Sequence, residues 1–189
     1  MEIDPKNLAI GGVSAGGHLT AILAQRCHAK QIPLKLQILS VPVTDCAALN
    51  DDWSVPPNCA YNSYIENLWA PCLPLERIQF FMKHFLGDRN PHPPPAANPA
   101  IFPPEVELSP IKAKSLKGLA PALVTTSDVD ILRDDGEAYA KRLAEDGVPI
   151  KLKRYMGVPH IFLFMDGALP EARKYIQTCC DELRSVFGT

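Results

Sequence analysis

The chain has 189 residues, of which 47% are hydrophobic and 21% charged, with a formal net charge of −2. That is ordinary globular composition, with enough chain for one domain and its core. The near-neutral balance gives no electrostatic case for binding nucleic acid or an anionic membrane, and no apolar run is long enough to span a bilayer.

An apolar run over 7–12, ending in glycine, predicts a first strand. Residues 18–30 predict a helix with Leu19, Ile22 and Leu23 on one face and basic residues near its end. Residues 34–45 predict a second strand, apolar at Leu34, Leu36, Ile38 and Leu39, with Pro42 as its stop. Residues 46–110 change character. They are rich in aromatics, hold an amphipathic helix over 75–87 closed by Gly87, and then carry a dense proline run over 90–110. That run excludes regular helix and central strand. The segment reads as a cap or lid-like excursion inside a single domain of residues 1–189, because the strands flanking it belong to one sheet.

The elements resume with a third strand over 120–127 and a helix over 133–147. That helix turns Tyr139, Ala140 and Leu143 inward, sets Asp134, Asp135 and Glu137 at its positive end, and stops at Gly147. A fourth strand over 148–156 alternates at Ile150, Leu152 and Arg154, and a last helix covers 169–187 with Pro170 in its first turn. Strands separated by helices predict an α/β fold. Its parallel sheet should run in sequential order with right-handed crossovers and helices on both faces.

The acidic opening, "MEIDPKN", does not read as a secretory signal. Six cysteines (Cys27, Cys46, Cys59, Cys72, Cys179, Cys180) match no zinc spacing, and the vicinal last pair suits no ordinary disulfide framework. They read as free thiols in a reducing, cytoplasmic setting. The five histidines (His18, His28, His84, His92, His160) lack the i, i+4 pairing of a metalloprotease site. No metal and no cofactor is expected.

One stretch carries chemistry. Gly12-Val13-Ser14-Ala15-Gly16 fits G-x-S-x-G and stands between a predicted strand and a predicted helix. A sharp strand-to-helix turn would expose the Ser14 hydroxyl above the sheet, and flanking glycines would leave room for it. The helix N-terminus favours developing negative charge there, with the Ala15 backbone N–H as an oxyanion donor. A nucleophilic serine needs a base, and the base needs an orienting acid. His160 follows the fourth strand and fits the base. Asp128 and Asp130 both follow the third strand, and position alone does not choose between them.

The quoted serine motif resembles the hormone-sensitive lipase-like branch of α/β-hydrolases. So do "APALVTTSDVDILRDDGEAYAKRLAEDGVPIKLKRYMGVPHIF" and "ERIQFFMKHFLG". The look is closest to filamentous-fungal members. The family's acid motif D-P-L-R-D-E-G aligns with Asp130 to Gly136, which selects Asp130. Its histidine followed closely by phenylalanine aligns with His160 and Phe162. The resemblance implies a carboxylesterase acting on a small-molecule ester without a cofactor: Ser14 attacks, His160 carries the proton, Asp130 orients His160, and the excursion's aromatics wall the acyl pocket. Two features depart from the pattern. Valine stands at 13 where the family has aspartate, and the chain carries no H-G-G motif. Only a few residues precede the first strand, so the resemblance is to a C-terminal portion whose sheet lacks its N-terminal strands. An oxyanion hole without the H-G-G amides, a raw first edge and self-association through that edge are then expected. Two other readings stand beside the esterase: a non-catalytic or weakly active homologue, and a tailoring hydrolase acting on a secondary metabolite.

Overall fold

The computed structural model describes residues 4–87 and 105–188. Four strands form its sheet: β1 (Ala9–Val13), β2 (Leu36–Ser40), β3 (Ala122–Val129) and β4 (Ile150–Pro159). All pairings are parallel and the order is β1-β2-β3-β4, the sequential arrangement expected from strand–helix alternation. The two inner strands are buried almost throughout, as parallel strands covered on both faces must be.

Six α-helices accompany the sheet among the described residues, with two short 3₁₀ helices at Pro110–Lys112 and Phe162–Phe164: α1 (Ala15–Ala29), α2 (Ser63–Glu66), α3 (Leu75–Leu86), α4 (Glu105–Leu108), α5 (Arg133–Glu145) and α6 (Pro170–Phe187). α1 and α5 share a core with Leu39 and Val124 through Ala21, Tyr139, Ala140 and Leu143. α6 covers the opposite face, where Ala172 packs with Val41, Tyr155 and Phe162. There the Ser40 hydroxyl meets the Tyr175 hydroxyl at 2.8 Å.

Three expectations change. First, α1 starts at Ala15, not residue 18, and its inward side is Gly17, His18, Thr20, Ala21 and Ala24. Leu19 and Leu23 are 58% and 46% exposed. The cause is close approach. A Cβ on Gly17 would stand 2.9 Å from the Pro42 Cβ, so this side of the helix carries small residues at Gly17, Thr20, Ala21 and Ala24, and the one large ring, His18, is buried against the Val43 and Glu107 carbonyls. Second, Leu152 on β4 is 48% exposed, and Arg154 points out to pair with Glu137 at 2.6 Å. β4 is an edge of the described sheet, and an edge is only half covered; its buried residues are Tyr155 and Val158. Third, residues 105–108 close one helical turn inside the segment read as irregular. Four proline-free residues are enough for it. Ser109 and Pro110 lead into a 3₁₀ turn over Pro110–Lys112, and residues 90–104 of the run lie outside the described residues.

The two ends of the excursion are tied to each other and to the start of α5 through the loop that leaves β2. Thr44 N–H donates to both carboxylate oxygens of Asp135 at 3.1 Å, the Thr44 hydroxyl donates to it as well, and Asp45 N–H follows at 3.4 Å. Asp45 accepts from Tyr61 at 3.1 Å and from Ser109 at 2.9 Å, so the outgoing limb, the return limb and the start of α5 share one network. Asp135 is therefore not the surface complement to a helix dipole that its position suggested; it is fully buried. Burial pushes its pKa up to about 7, against the donors of Thr44 and Asp45.

A carboxyl whose folded pKa exceeds its unfolded value stabilises fully below about pH 4 and loses that contribution as pH rises through about 7. Melting temperatures measured from pH 4 to 7 should therefore decline more steeply in the wild type than in Asp135→Asn, which should melt lower at pH 4 because its amide cannot accept all of these donors.

Candidate active site

β1 delivers the chain to a turn at Ser14, whose φ is +56° and ψ −117°. A side chain rarely adopts that conformation, and holding it costs about 1–3 kcal/mol. Neighbouring hydrogen bonds fix it. Ser14 N–H donates to Ser40 O on β2 at 2.8 Å, and Ser14 O accepts from His18 N–H at 3.0 Å. Gly12 makes the turn possible, because a Cβ there would stand 2.3 Å from the Gly16 carbonyl. Gly16 itself meets nothing within 4 Å, so its own missing side chain is not what the turn needs. The Ser14 hydroxyl makes no capping bond to α1.

Instead it faces a histidine. Ser14 Oγ lies 2.8 Å from His160 Nε2, and His160 Nδ1 lies 2.8 Å from Asp130 Oδ2. His160 follows Pro159 at the end of β4, and Asp130 follows Val129 at the end of β3. All three thus gather at the C-terminal edge of the parallel sheet, where such folds assemble ligand sites. His160 is 3% exposed and Asp130 fully buried. In the tautomer that places the ring proton on Nδ1, towards Asp130, Nε2 accepts from Ser14. Asp130 also accepts Leu132 N–H at 2.9 Å on Oδ1 and the Ser127 hydroxyl at 3.0 Å on Oδ2. Asp128 points elsewhere: its carboxylate accepts from Gly157 N–H at 3.3 Å and braces the β4 turn.

Ser14 and Ala15 open onto a cavity of about 640 Å³ between α1 and α3. Leu19 and Ile22 of α1, with Ile78 and Phe81 of α3, form much of its wall. Of the predicted apolar face of α1, Leu19 and Ile22 thus meet this cavity and not the core, while Leu23 is exposed outside it. His18 also reaches the cavity. Its ring is buried, with Nδ1 3.0 Å from Val43 O and Nε2 2.9 Å from Glu107 O. Burial lowers its pKa, while the two carbonyls pull the other way. Its ring ties the return limb to α1 beside Ser14, an arrangement assisted by the Arg26–Glu107 ion pair. Sequence reasoning gave His18 and Ser127 no role. The only available signal for Ser127 was its position three residues before Asp130. Among the described residues no cluster of histidine, cysteine or carboxylate groups could hold a metal ion.

The model of the alpha/beta hydrolase fold family matches residues 1–164. The chain belongs to that family. It is 29% identical to an AB hydrolase superfamily protein of Schizosaccharomyces pombe, a match covering 100% of this chain and 51% of the relative. It is 32% identical to Esterase LipI of Mycobacterium tuberculosis, covering 97% of this chain and 51% of that one. The crystal structure of DphMB1 superimposes with a TM-score of 0.79 at 30% identity, covering 97% of this chain and 54% of the other. An esterase from Pyrobaculum calidifontis gives 0.75 at 27% identity, with coverage of 97% and 53%. The chain spans about half the length of the curated relatives it matches.

The two glycines of the turn should respond differently to the same change. Gly12→Ala forces a Cβ into the Gly16 backbone and should cost about 2–3 kcal/mol in urea unfolding. Gly16→Ala adds a Cβ in open space within a helix and should change stability by no more than about 1 kcal/mol, towards greater stability.

Proposed function

We propose that this chain carries the acyl-transfer site of a serine carboxylesterase of the hormone-sensitive lipase-like branch, with a fungal-type motif set. The observation that carries the reading is the continuous relay Ser14–His160–Asp130, 2.8 Å at each step, opening onto an apolar cavity. In this reading Ser14 Oγ attacks the ester carbonyl while its proton passes to His160 Nε2. Asp130 holds the imidazole in the competent tautomer and steadies the imidazolium. The tetrahedral oxyanion meets the Ala15 N–H and the positive end of α1. Collapse expels the alcohol, which takes the proton back from His160, and water repeats the cycle on the acyl-enzyme.

The cavity's apolar wall suits the hydrocarbon part of a small ester, and no cofactor enters the chemistry. Residues 46–110 serve as a cap within the single domain of residues 1–189, a role supported by the place of Ile78 and Phe81 in the cavity wall. We place the protein in the cytoplasm, on the reading that its six free cysteines suit a reducing compartment. No helix of the described residues is long and apolar enough to cross a membrane.

Two measurements test this. A fluorophosphonate should label Ser14: the Oγ–P bond forms, fluoride leaves and His160 takes the proton. Hydrolysis of p-nitrophenyl acetate by the wild type should fall at least ~10³-fold in Ser14→Ala and in His160→Ala. Equal rates for wild type and Ser14→Ala would instead support the non-catalytic reading.

A further inference from the structure

Between the end of β3 at Val129 and the start of α5 at Arg133, residues 130–132 lie outside any strand or helix. This short crossing carries Asp130. A backbone bonded only to its own neighbours would let the carboxylate swing with the loop. Ser127 holds one carboxylate oxygen from the strand, but Leu132 N–H belongs to the loop and moves with it. Neither fixes the carbonyls of residues 130 and 131.

Within the loop Asp130 O accepts Arg133 N–H at 3.2 Å, a bond that moves with the loop; the other bonds to these two carbonyls come from far away in sequence. Asn67 Nδ2 donates to Asp130 O at 3.1 Å and reaches Asp128 O at 3.4 Å. The Ser63 hydroxyl donates to Ile131 O at 2.8 Å and accepts Asp134 N–H at 3.1 Å, and Ser63 N–H donates to the Asp134 carboxylate at 2.8 Å. Glu66 pairs with Arg133 at 2.7 Å, and Arg133 in turn reaches Asp128 O at 3.3 Å. Ser63 and Glu66 are the first and last residues of α2, and Asn67 follows directly. Beneath them Ile131 and Leu132 are buried against Tyr61, Tyr64 and Leu73. None of Ser63, Glu66 or Asn67 lines the cavity beside Ser14.

We propose that Ser63 and Asn67 are positioning residues for Asp130: the α2 segment of the excursion grips the loop of residues 128–134 and holds the acid against His160. This rests on the reading of Ser14, His160 and Asp130 as the reacting set. It gives this part of the excursion a duty different from that of a cap. A cap shapes what binds; this brace sets how well the bound ester reacts.

Asn67 is the better position to change, because it is half-buried whereas Ser63 is fully buried. Asn67→Ala removes the donor. Asn67→Asp keeps the shape and sets an acceptor against two carbonyls. The 189-residue chain serves throughout. The rate of Ser14 labelling by a fluorophosphonate is read by mass spectrometry, and the low-field proton resonance of His160 Nδ1–H is assigned by its loss in Asp130→Asn. Both Asn67 variants should label roughly ten- to a hundred-fold slower, as a small misplacement of a catalytic group does. The low-field resonance should broaden or move, and KM for p-nitrophenyl acetate should stay while kcat falls. Unchanged labelling and an unchanged resonance in both variants would overturn the proposal, and so would a loss confined to melting temperature. Equal labelling of the wild type and Asp130→Asn would sink the underlying reading instead. The resonance reports the Asp130–His160 geometry by itself where Ser14 labels slowly.

Discussion

The site depends on how closely α1 lies against the strand that precedes it. The chain reverses within a few residues, from Val13 at the end of β1 to Ala15 at the start of α1. The turn closes only because Gly12 leaves room for the Gly16 backbone and Gly17 leaves room for Pro42. Three consequences follow from this one steric condition. Ser14 is driven into a left-handed conformation with its hydroxyl clear of the helix. Apart from His18, the inward face of α1 carries only small side chains. Its large apolar residues, Leu19 and Ile22, then turn to the other side and wall the cavity. One constraint thus forms both the exposed hydroxyl and the apolar surface beside it.

The other two members of the relay rest on buried polar networks, and such networks hold their shape only when every member is satisfied. Asp130 accepts from Ser127, Leu132 and His160, which uses most of the acceptor capacity of a carboxylate. A few residues on, Asp135 ties the loop leaving β2 to the start of α5. The two carboxylates share one short stretch of chain and differ in task. Asp130 faces the ionisable ring of His160. Asp135 faces neutral donors and is pushed towards neutrality by burial. The excursion enters both networks, through Asn67 at the Asp130 carbonyl and through Tyr61 and Ser109, which donate to Asp45 beside Asp135. It is a structural part of the acid's surroundings before it is anything else.

The features legible in the sequence are those written in local pattern. The strand at 36–40 shows in its apolar positions, the strand at 122–129 falls within two residues of the predicted 120–127, and α5 shows Tyr139, Ala140 and Leu143 at helical spacing. The turn at Ser14 shows in its glycines. Features that depend on distant partners were not legible. Nothing in "LRDDGEAY" says that the second aspartate is buried, because the groups that bury it come from residues 44 and 45. Nothing in the spacing of Asp128 and Asp130 says that one faces His160 and the other Gly157. α1 misled for a related reason: periodicity reports that a helix has an apolar face, and it cannot report whether a sheet or a cavity lies opposite.

The cavity wall has an electrical consequence as well as a steric one. Leu19, Phe81 and Phe85 all line the cavity, and they are 58%, 52% and 49% exposed, so its mouth is open to solvent. An apolar ligand seated there would displace water from above Ser14. Charges on a reacting oxyanion, on His160 and on Asp130 would then interact through a medium of lower dielectric, where each hydrogen bond and each aligned amide counts for more. On the esterase reading such a site would distinguish esters by more than shape: a group large enough to cover the wall would exclude more water from the relay than an acetyl group would. For this chain the size of the hydrocarbon should therefore act on the rate of the chemical step, and not only on affinity, because the same side chains that hold the ligand set the dielectric around the relay.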